Sequence, residues 1–162
     1  MQSFTTDFTF ELLNANADGF TFTIQNDGPG IAGASGNGLG YDGISNSVAV
    51  KFDLYNNLGE GPNSTGLYTD GASPTLPAID LTGTGINLRG GDLFEARLTY
   101  DGTNLTLALT DKSTLATWSH SWAINIPGTV GGTTAYVGFT GATGGLTSTD
   151  TIFTWSYLPA VQ

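Results

Sequence analysis

Hydrophobic and polar residues alternate along most of the chain, in short runs separated by glycine-rich segments. Apolar side chains occupy every second position in DFTFEL, GFTFTI, SVAVKFDLY, NLTLAL, TAYVGF and TIFTWSY. Alternation with a period of two places one face of a β-strand against a core. No stretch keeps apolar residues at helical spacing, because glycine, proline and β-branched residues interrupt each candidate. The pattern predicts at least six strands and almost no helix.

The segment LTYDGTNLTL places Asp101 and Gly102 between two alternating runs. Asp-Gly is one of the strongest signals for a tight β-hairpin, so these two strands are expected to pair antiparallel. A chain of 162 residues is long enough to bury a core of its own. We therefore predict one all-β domain that spans residues 1–162.

The chain carries little charge, and most of that charge is negative. Fourteen acidic residues stand against four cations, Lys51, Arg89, Arg97 and Lys112, which gives a formal net charge of −10. Such a chain repels phosphate backbones and anionic lipids, so nucleic-acid and membrane-surface binding are disfavoured. Membrane insertion is not expected, because no segment approaches the roughly 20 apolar residues of a membrane span. The absence of cysteine excludes disulfides, zinc–thiolate sites and a cysteine nucleophile.

Three long connections are rich in glycine, asparagine and aspartate: QNDGPGIAGASGNGLGYDG, LYNNLGEGPNSTGLYTDGASPTLP and TGATGGLTSTD. Long loops held by a rigid sheet are common places for binding residues. Each of these loops adjoins a predicted strand and carries distinctive polar residues, which favours a binding role. The alternative is that they are flexible surface segments.

The second loop opens with a set of oxygen donors. In VAVKFDLYNNLGEG, Asp53, Asn57 and Glu60 offer side-chain oxygens, and Tyr55 offers its carbonyl. Ca²⁺ prefers such a mixture of carboxylate, amide and carbonyl ligands, so the spacing indicates a calcium site. The alternative is that Asp53 and Asn57 cap turns through bonds from their side chains to the backbone.

Four segments resemble the L-type (legume-type) lectins, and their bacterial members most closely. The segments are ADGFTFTI, SGNGLGYDGISNSVAVKFDLYNN, YVGFTGATGG and TDTIFTWSY, in the family's order and over nearly the whole chain. The resemblance implies an antiparallel jelly-roll β-sandwich, the concanavalin-like lectin fold. It also implies non-catalytic binding of a mono-, oligo- or polysaccharide at one calcium-supported site, in a secreted or cell-surface protein.

The resemblance assigns roles to individual residues. Asp18, after a cis bond from Ala17, would accept hydrogen bonds from sugar hydroxyls. Asn57 would bind calcium through its oxygen and donate its amide hydrogens to the sugar, and the Tyr55 ring would stack on the sugar. The full set implied for carbohydrate is Asp18, Asn37, Gly38, Tyr55, Asn57, Gly145 and Leu146, where Asn37 and Gly38 are alternatives for one backbone contact. The set implied for calcium is Asp53, Tyr55, Asn57 and Glu60.

The chain departs from the family at a second, transition-metal site. Lys51 and Gly66 stand where the resemblance would require glutamate and histidine, so this second metal site is expected to be absent. We hypothesise that the Lys51 ammonium lies between Asp53 and Glu60 and supplies a fixed positive charge there. The alternative is an exposed lysine at a sheet edge. Glu60 also replaces the shorter aspartate usual in legumes.

The beginning of the chain is a second departure. Family members carry a further segment, with a strand of the back sheet, ahead of the strand that aligns with SFTTDFTF. The sandwich is therefore expected to lack one or more N-terminal strands. An edge left open in this way would allow homo-oligomers to form by pairing.

Two other functions remain as alternatives. A glycoside hydrolase on the same fold would need two facing carboxylates, whereas the alternating positions here hold Lys51, Asp53 and Tyr55. A structural or adhesin domain with a relic sugar site is the second alternative. His120 is expected in a surface or interface role, and the three tryptophans, Trp118, Trp122 and Trp155, in core packing or an aromatic sugar platform.

Overall fold

The computed structural model describes residues 3–160, and strands make up most of that range. The strands are β1 (Phe4–Leu13), β2 (Gly19–Gln25), β3 (Ser47–Asp53), β4 (Ser64–Thr69), β5 (Ile79–Asp80), β6 (Leu93–Tyr100), β7 (Asn104–Asp111), β8 (Thr117–Ala123), β9 (Tyr136–Ala142) and β10 (Thr149–Pro159). One short helix, α1 (Ile126–Val130), and the 3₁₀ turns Gly36–Gly38 and Leu88–Gly90 are the helical elements of the described residues. The predicted scarcity of helix is confirmed.

The strands form two antiparallel sheets of five strands each. The back sheet has the order β10-β1-β6-β7-β8, and the front sheet has the order β5-β4-β3-β2-β9. Neighbours that are distant in sequence, such as β10 and β1, are typical of a jelly roll rather than a simple meander. The predicted hairpin joins β6 to β7, where the Asp101 N–H donates to the Asn104 carbonyl at 3.1 Å. The predicted jelly-roll sandwich is confirmed.

Aromatic rings from both sheets form the centre of the core. Phe10 of β1 contacts Phe20 of β2 and Phe52 of β3, with ring centroids 5.0 and 5.2 Å apart. Phe20 and Phe52 stack on each other at 4.7 Å. Such pairs add about 0.5–1.5 kcal/mol each to the free energy gained by burying the rings. These contacts hold the start of β2 beside the end of β3.

Strands β2 and β3 of the front sheet are buried on both faces, unlike the pattern expected from alternation alone. Every residue of β2 and β3 is buried, including the polar positions. Hydroxyl pairs satisfy some of these groups, since Thr21 Oγ1 lies 2.6 Å from both the Thr23 and the Thr140 hydroxyl. The long loops cover the outer face, and Lys51 and Asp53 are therefore interior residues.

The outer sides of β9 and β10 have no paired strand among residues 3–160. On β10, Phe153 is 56% exposed and Trp155 is 44% exposed, although the Trp155 ring contacts Phe139 at 5.1 Å. Pairing of these edges in a homo-oligomer stays a prediction.

The remaining tryptophans lie on the opposite edge of the back sheet. Trp118 and Trp122 are partly buried against the core, which confirms the core interpretation for these two residues. His120 lies between them and is exposed. No helix within residues 3–160 is long and apolar enough to cross a membrane.

Candidate functional site

Three strand ends of the front sheet meet at the candidate site. Gly19, the first residue of β2, pairs with Asp53 at the end of β3 and with Ala142 at the end of β9. This register brings together the loops that precede β2, follow β3 and follow β9. The loop that contains the 3₁₀ turn Gly36–Gly38 contacts them as well, because the Gly36 N–H donates to the Thr143 carbonyl at 3.3 Å.

The four segments enclose an open hollow of about 240 Å³. Its walls are formed by Ala17, Asp18, Gly36, Asn37, Tyr55, Asn57, Gly144, Gly145 and Leu146. Six of the seven residues that the sequence suggested for carbohydrate line this hollow. They come from positions as far apart as Asp18 and Leu146, and the sheet register brings them together.

Gly38 is the exception. It is buried and does not line the hollow, whereas Asn37 is exposed and does. The Gly38 N–H donates within the 3₁₀ turn, to the Ser35 carbonyl at 3.1 Å, and is not available to a ligand. Of the two alternatives for the backbone contact, the geometry therefore favours Asn37.

Asp18 provides a buried acceptor on the wall of the hollow. The Ala17–Asp18 bond is cis, as the resemblance implied. Asp18 is 5% exposed, and its Oδ2 has no hydrogen-bond partner among the described residues. Burial raises the pKa of this carboxyl, and the nearby Gly144 backbone N–H offsets only part of the increase. A buried oxygen without a donor is costly, so Asp18 is suited to a ligand that brings hydroxyl groups.

The rim of the hollow is more exposed than its wall. Tyr55 is 40% exposed and Leu146 is 50% exposed, so both offer apolar surface to a ligand. Asn57 is also exposed and offers an amide. A carboxylate, an amide and an aromatic ring around one small hollow match a ligand that has both hydroxyls and an apolar face.

The candidate calcium ligands lie beside this hollow. Asp53 and Glu60 are 2% and 3% exposed. The Asp53 Oδ1 accepts from the Tyr55 N–H at 3.0 Å, and the Glu60 Oε2 accepts from the Leu58 N–H at 2.5 Å. The Glu60 Oε1 is buried without a partner among residues 3–160. The turn-capping alternative is therefore correct for one oxygen of Asp53. Glu60, which that alternative did not include, caps the backbone through Oε2, but its Oε1 stays unexplained.

The two carboxyls have opposite pKa shifts. Burial raises the pKa of Asp53, and the charge and hydrogen bond of Lys51 offset part of this effect. Burial acts in the same direction on Glu60, but the backbone N–H groups of Leu58, Glu60 and Asn57, together with the Lys51 charge, lower its pKa overall. Lys51 thus favours the ionised form of both carboxyls.

The donor set fits one hard cation. An unpartnered Glu60 oxygen, the Asp53 carboxylate, the Asn57 amide and the Tyr55 carbonyl are all oxygen ligands, which Ca²⁺ prefers. Residues 3–160 contain no group of three or more histidine, cysteine, aspartate or glutamate side chains arranged to hold a metal. The oxygen donors of this loop fit one calcium ion.

Lys51 is fully buried, so the alternative of an exposed lysine is wrong. Its Nζ donates to Asp53 Oδ2 at 2.7 Å and to the Thr75 carbonyl at 3.0 Å. Within residues 3–160, Glu60 forms no ion pair with the ammonium, but the Lys51 charge lowers the pKa of Glu60 from a longer distance. The hypothesis that Lys51 lies between the two carboxylates is thus correct for its contact with Asp53. For Glu60, the effect of Lys51 is limited to the attraction of its charge.

Several residues around the site were not identified from the sequence. Gly36 and Gly144 form part of the wall, and their place in glycine-rich loops was the only sequence signal. Thr75 approaches Lys51 from a loop 24 residues further along the chain. Arg89 donates from Nη1 to the Leu54 carbonyl at 2.6 Å and braces the start of the calcium loop. The folded chain alone brings these last two residues to the site.

A family model and a set of solved structures match this chain. The model of the legume lectin domain family matches residues 1–160. A crystal structure of basic winged bean lectin with Tn-antigen is 23% identical, with a TM-score of 0.80, over 98% of this chain and 72% of that chain. A lectin from Bauhinia forficata in complex with GalNAc is 25% identical, with a TM-score of 0.79, over 96% of this chain and 72% of that chain. Arcelin-5, a lectin-like defense protein from Phaseolus vulgaris, is 20% identical, with a TM-score of 0.76, over 96% and 69%.

The family match removes one of the functions that the sequence left open. It covers nearly the whole chain, and the solved structures share the fold of both sheets. The hydrolase alternative is set aside, because this family binds carbohydrate without catalysis. The chain belongs to the legume lectin domain family, and it is a non-catalytic carbohydrate-binding protein.

Proposed function

We propose that the chain binds a saccharide in the hollow beside β2, with one calcium ion supporting the site. The unpartnered, buried Asp18 Oδ2 on the wall of this hollow is the observation that carries the proposal. Leaving a buried acceptor without a hydrogen bond costs on the order of 1–3 kcal/mol, and a hydrogen bond from a sugar hydroxyl would remove that cost. Asp18 accepts hydrogen bonds from two neighbouring hydroxyls of the ligand.

The rim residues orient the sugar. Asn57 donates its amide hydrogens to a hydroxyl, and the Tyr55 ring packs on the apolar face of the sugar. Leu146 limits which hydroxyl configurations fit, and the backbone N–H groups of Asn37 and Gly145 are further donors. Each polar contact fixes one hydroxyl, so the residues together determine which epimer binds.

Calcium supplies fixed positive charge and coordination that hold the loop. Asp53, Glu60, the Asn57 oxygen and the Tyr55 carbonyl would hold the ion. The oxygen of Asn57 would then face the metal, which leaves its amide hydrogens for the sugar. The residues of the loop, and not the ion, make the contacts that recognise the ligand.

A single shallow hollow of this size binds weakly. We expect about −4 to −6 kcal/mol per site, which corresponds to dissociation constants from millimolar to high micromolar. Useful avidity then comes from several copies on a polymeric glycan or a cell surface. A secreted or surface-displayed bacterial protein fits such a role.

Isothermal titration with a sugar panel tests the proposal. N-acetylgalactosamine, galactose, fucose, mannose and glucose are titrated into the protein with calcium, and again after chelation. Binding of at least one sugar in calcium, with loss after chelation, is the expected result. If no monosaccharide or polysaccharide binds in calcium, the site is a relic and the chain has a structural or adhesive role.

A further inference from the structure

The calcium loop contains a cation of its own. We propose that the buried Lys51 ammonium is a built-in cation, which keeps the loop folded when calcium is absent and prevents a second metal ion from binding beside it. The inference rests on the proposed calcium site, and it concerns a residue outside the sugar hollow. It predicts a lectin site that takes a single divalent ion.

The contacts of Lys51 give the first support. Its side chain is 0% exposed, and Nζ lies 2.7 Å from Asp53 Oδ2. The other oxygen of the same carboxylate accepts from the Tyr55 N–H at 3.0 Å, at the start of the calcium loop. Lys51 therefore positions a carboxylate that in turn holds the loop backbone, and this chain of contacts needs no metal.

The space around Nζ is already filled. The Thr75 carbonyl accepts from Nζ at 3.0 Å, and the Tyr68 ring centroid lies 5.6 Å away. The Tyr68 hydroxyl donates to the Pro77 carbonyl at 2.7 Å, and so closes this side of the site. Protein atoms thus surround the ammonium.

Gly66 shows that this packing is tight. It pairs with Lys51 across β3 and β4. A Cβ at position 66 would lie 2.6 Å from the Tyr68 hydroxyl oxygen and 3.0 Å from the Pro77 carbonyl oxygen. A metal-ligating side chain at position 66 would therefore displace Tyr68. The residues on both strands exclude a second metal by their volume.

The charges point in the same direction. Asp53 and Glu60 are the two acidic side chains of the loop, and both interact with the Lys51 charge. With both carboxyls ionised, the charges of Asp53, Glu60 and Lys51 add up to −1. One bound Ca²⁺ changes this total to +1. A second divalent ion would add further positive charge in a buried site with no extra carboxylate, which is unfavourable.

The first experiment replaces the ammonium with an apolar side chain of similar length. Lys51→Met leaves Asp53 buried without its cation, so the Tm without calcium should fall by about 10 °C. Added calcium should then raise the Tm of Lys51→Met by more than that of the wild type, because calcium becomes the only cation near Asp53. A merely structural lysine would not change the response to calcium.

Lys112→Met is the matched control. Lys112 pairs with Glu95 at 3.1 Å, but these side chains are 44% and 40% exposed. Exposed pairs contribute little to stability, so the Tm and its response to calcium should change by no more than about 2 °C. Equal Tm values for Lys51→Met and wild type, or equal calcium responses, would overturn the inference.

The second experiment measures metal stoichiometry. Elemental analysis of the dialysed wild type should give one calcium per chain, with no manganese taken up from a mixture of both ions. Two ions per wild-type chain, or manganese taken up beside calcium, would refute the built-in cation.

These readouts separate the inference from the proposed function, because no sugar is used. If the wild type binds calcium and no sugar while Lys51→Met behaves as expected, the proposed function fails and the inference stands. If the wild type binds calcium and sugar but Lys51→Met matches it in stability, the inference fails and the proposed function stands.

Discussion

The backbone N–H of Leu54 donates to the carbonyl oxygen of Asp18 at 2.8 Å. This bond continues the pairing of β2 with β3 by one residue and joins the candidate sugar acceptor to the start of the calcium loop. The distance between the two loops is therefore set by the register of the front sheet. A change in that register should disturb sugar and calcium binding together.

Gly19→Ala tests this dependence. A Cβ at position 19 would lie 2.1 Å from the Phe52 carbonyl oxygen, and the φ of +120° is strained for any L side chain. We expect a loss of about 3 kcal/mol or more in the free energy of unfolding, measured by denaturant titration, and at least tenfold weaker sugar binding. Gly138→Ala is the control, since its Cβ would meet no atom within 4 Å. Wild-type stability of Gly19→Ala would contradict the close approach of β2 and β3.

Asp18→Asn tests the acceptor in the hollow. The change replaces a carboxylate oxygen with a donor group, and hydrogen bonds to charged groups contribute about 1.5–3 kcal/mol. Sugar affinity should fall at least tenfold by calorimetry, while calcium affinity stays within about twofold. The matched control is Asp27→Asn, an exposed aspartate beyond the opposite end of β2. Asp18→Asn with wild-type sugar affinity would remove Asp18 from the site.

The same variant has a predicted effect on stability against pH. Burial raises the folded-state pKa of Asp18 above its ordinary value of 3.8, so its charge opposes folding near neutral pH. Asp18→Asn, which has no charge there, should be more stable than the sugar-free wild type above that raised pKa. The difference should shrink as pH falls through the folded-state pKa and vanish below 3.8, where the Asp18 carboxyl is protonated in both the folded and the unfolded state. A pH series of Tm values without sugar measures this, and a wild type more stable than the variant at pH 7 would contradict it.

Asn57→Asp separates the two proposed roles of Asn57. The variant keeps an oxygen for calcium but loses the amide hydrogens for the sugar. Calcium affinity should be retained or increased, because a carboxylate is a stronger ligand for Ca²⁺, while sugar affinity should fall at least tenfold. The neighbouring Asn56→Asp is the control, since the Asn56 Oδ1 accepts from the Gly59 N–H and does not line the hollow. Unchanged sugar affinity in Asn57→Asp would place the amide hydrogens away from the sugar, and loss of calcium affinity would contradict the Asn57 oxygen as a calcium ligand.

Removal of calcium should lower the Tm of the wild type without unfolding it. A ligand at 100 times its dissociation constant stabilises the folded state by about 2.7 kcal/mol, which corresponds to roughly 5–10 °C here. A thermal scan with calcium and with chelator measures the shift. Identical Tm values under both conditions would mean that Asp53 and Glu60 do not bind calcium.

The sequence alone determined the class of fold, because alternation is a local signal. The runs around Phe8, Phe20 and Val50 repeat with a period of two, and a strand with that pattern buries one face wherever it pairs. The Asp101-Gly102 turn is likewise local, and the hairpin of β6 and β7 forms where it was predicted. The residues around the hollow were identified through the family resemblance, because Asp18 and Leu146 share no local pattern.

The tertiary structure decided which polar groups are buried and what they touch. Alternation placed Lys51 on the polar side of β3, and only the packed loop that carries Thr75 turns this position into an interior cation. The choice of Asn37 over Gly38 also required the folded turn, since the competing N–H is used within it. Strand patterns arise from residues that are neighbours in the chain. The burial of a charge depends instead on segments that are distant in sequence, and a local pattern of residues does not show which segments these are.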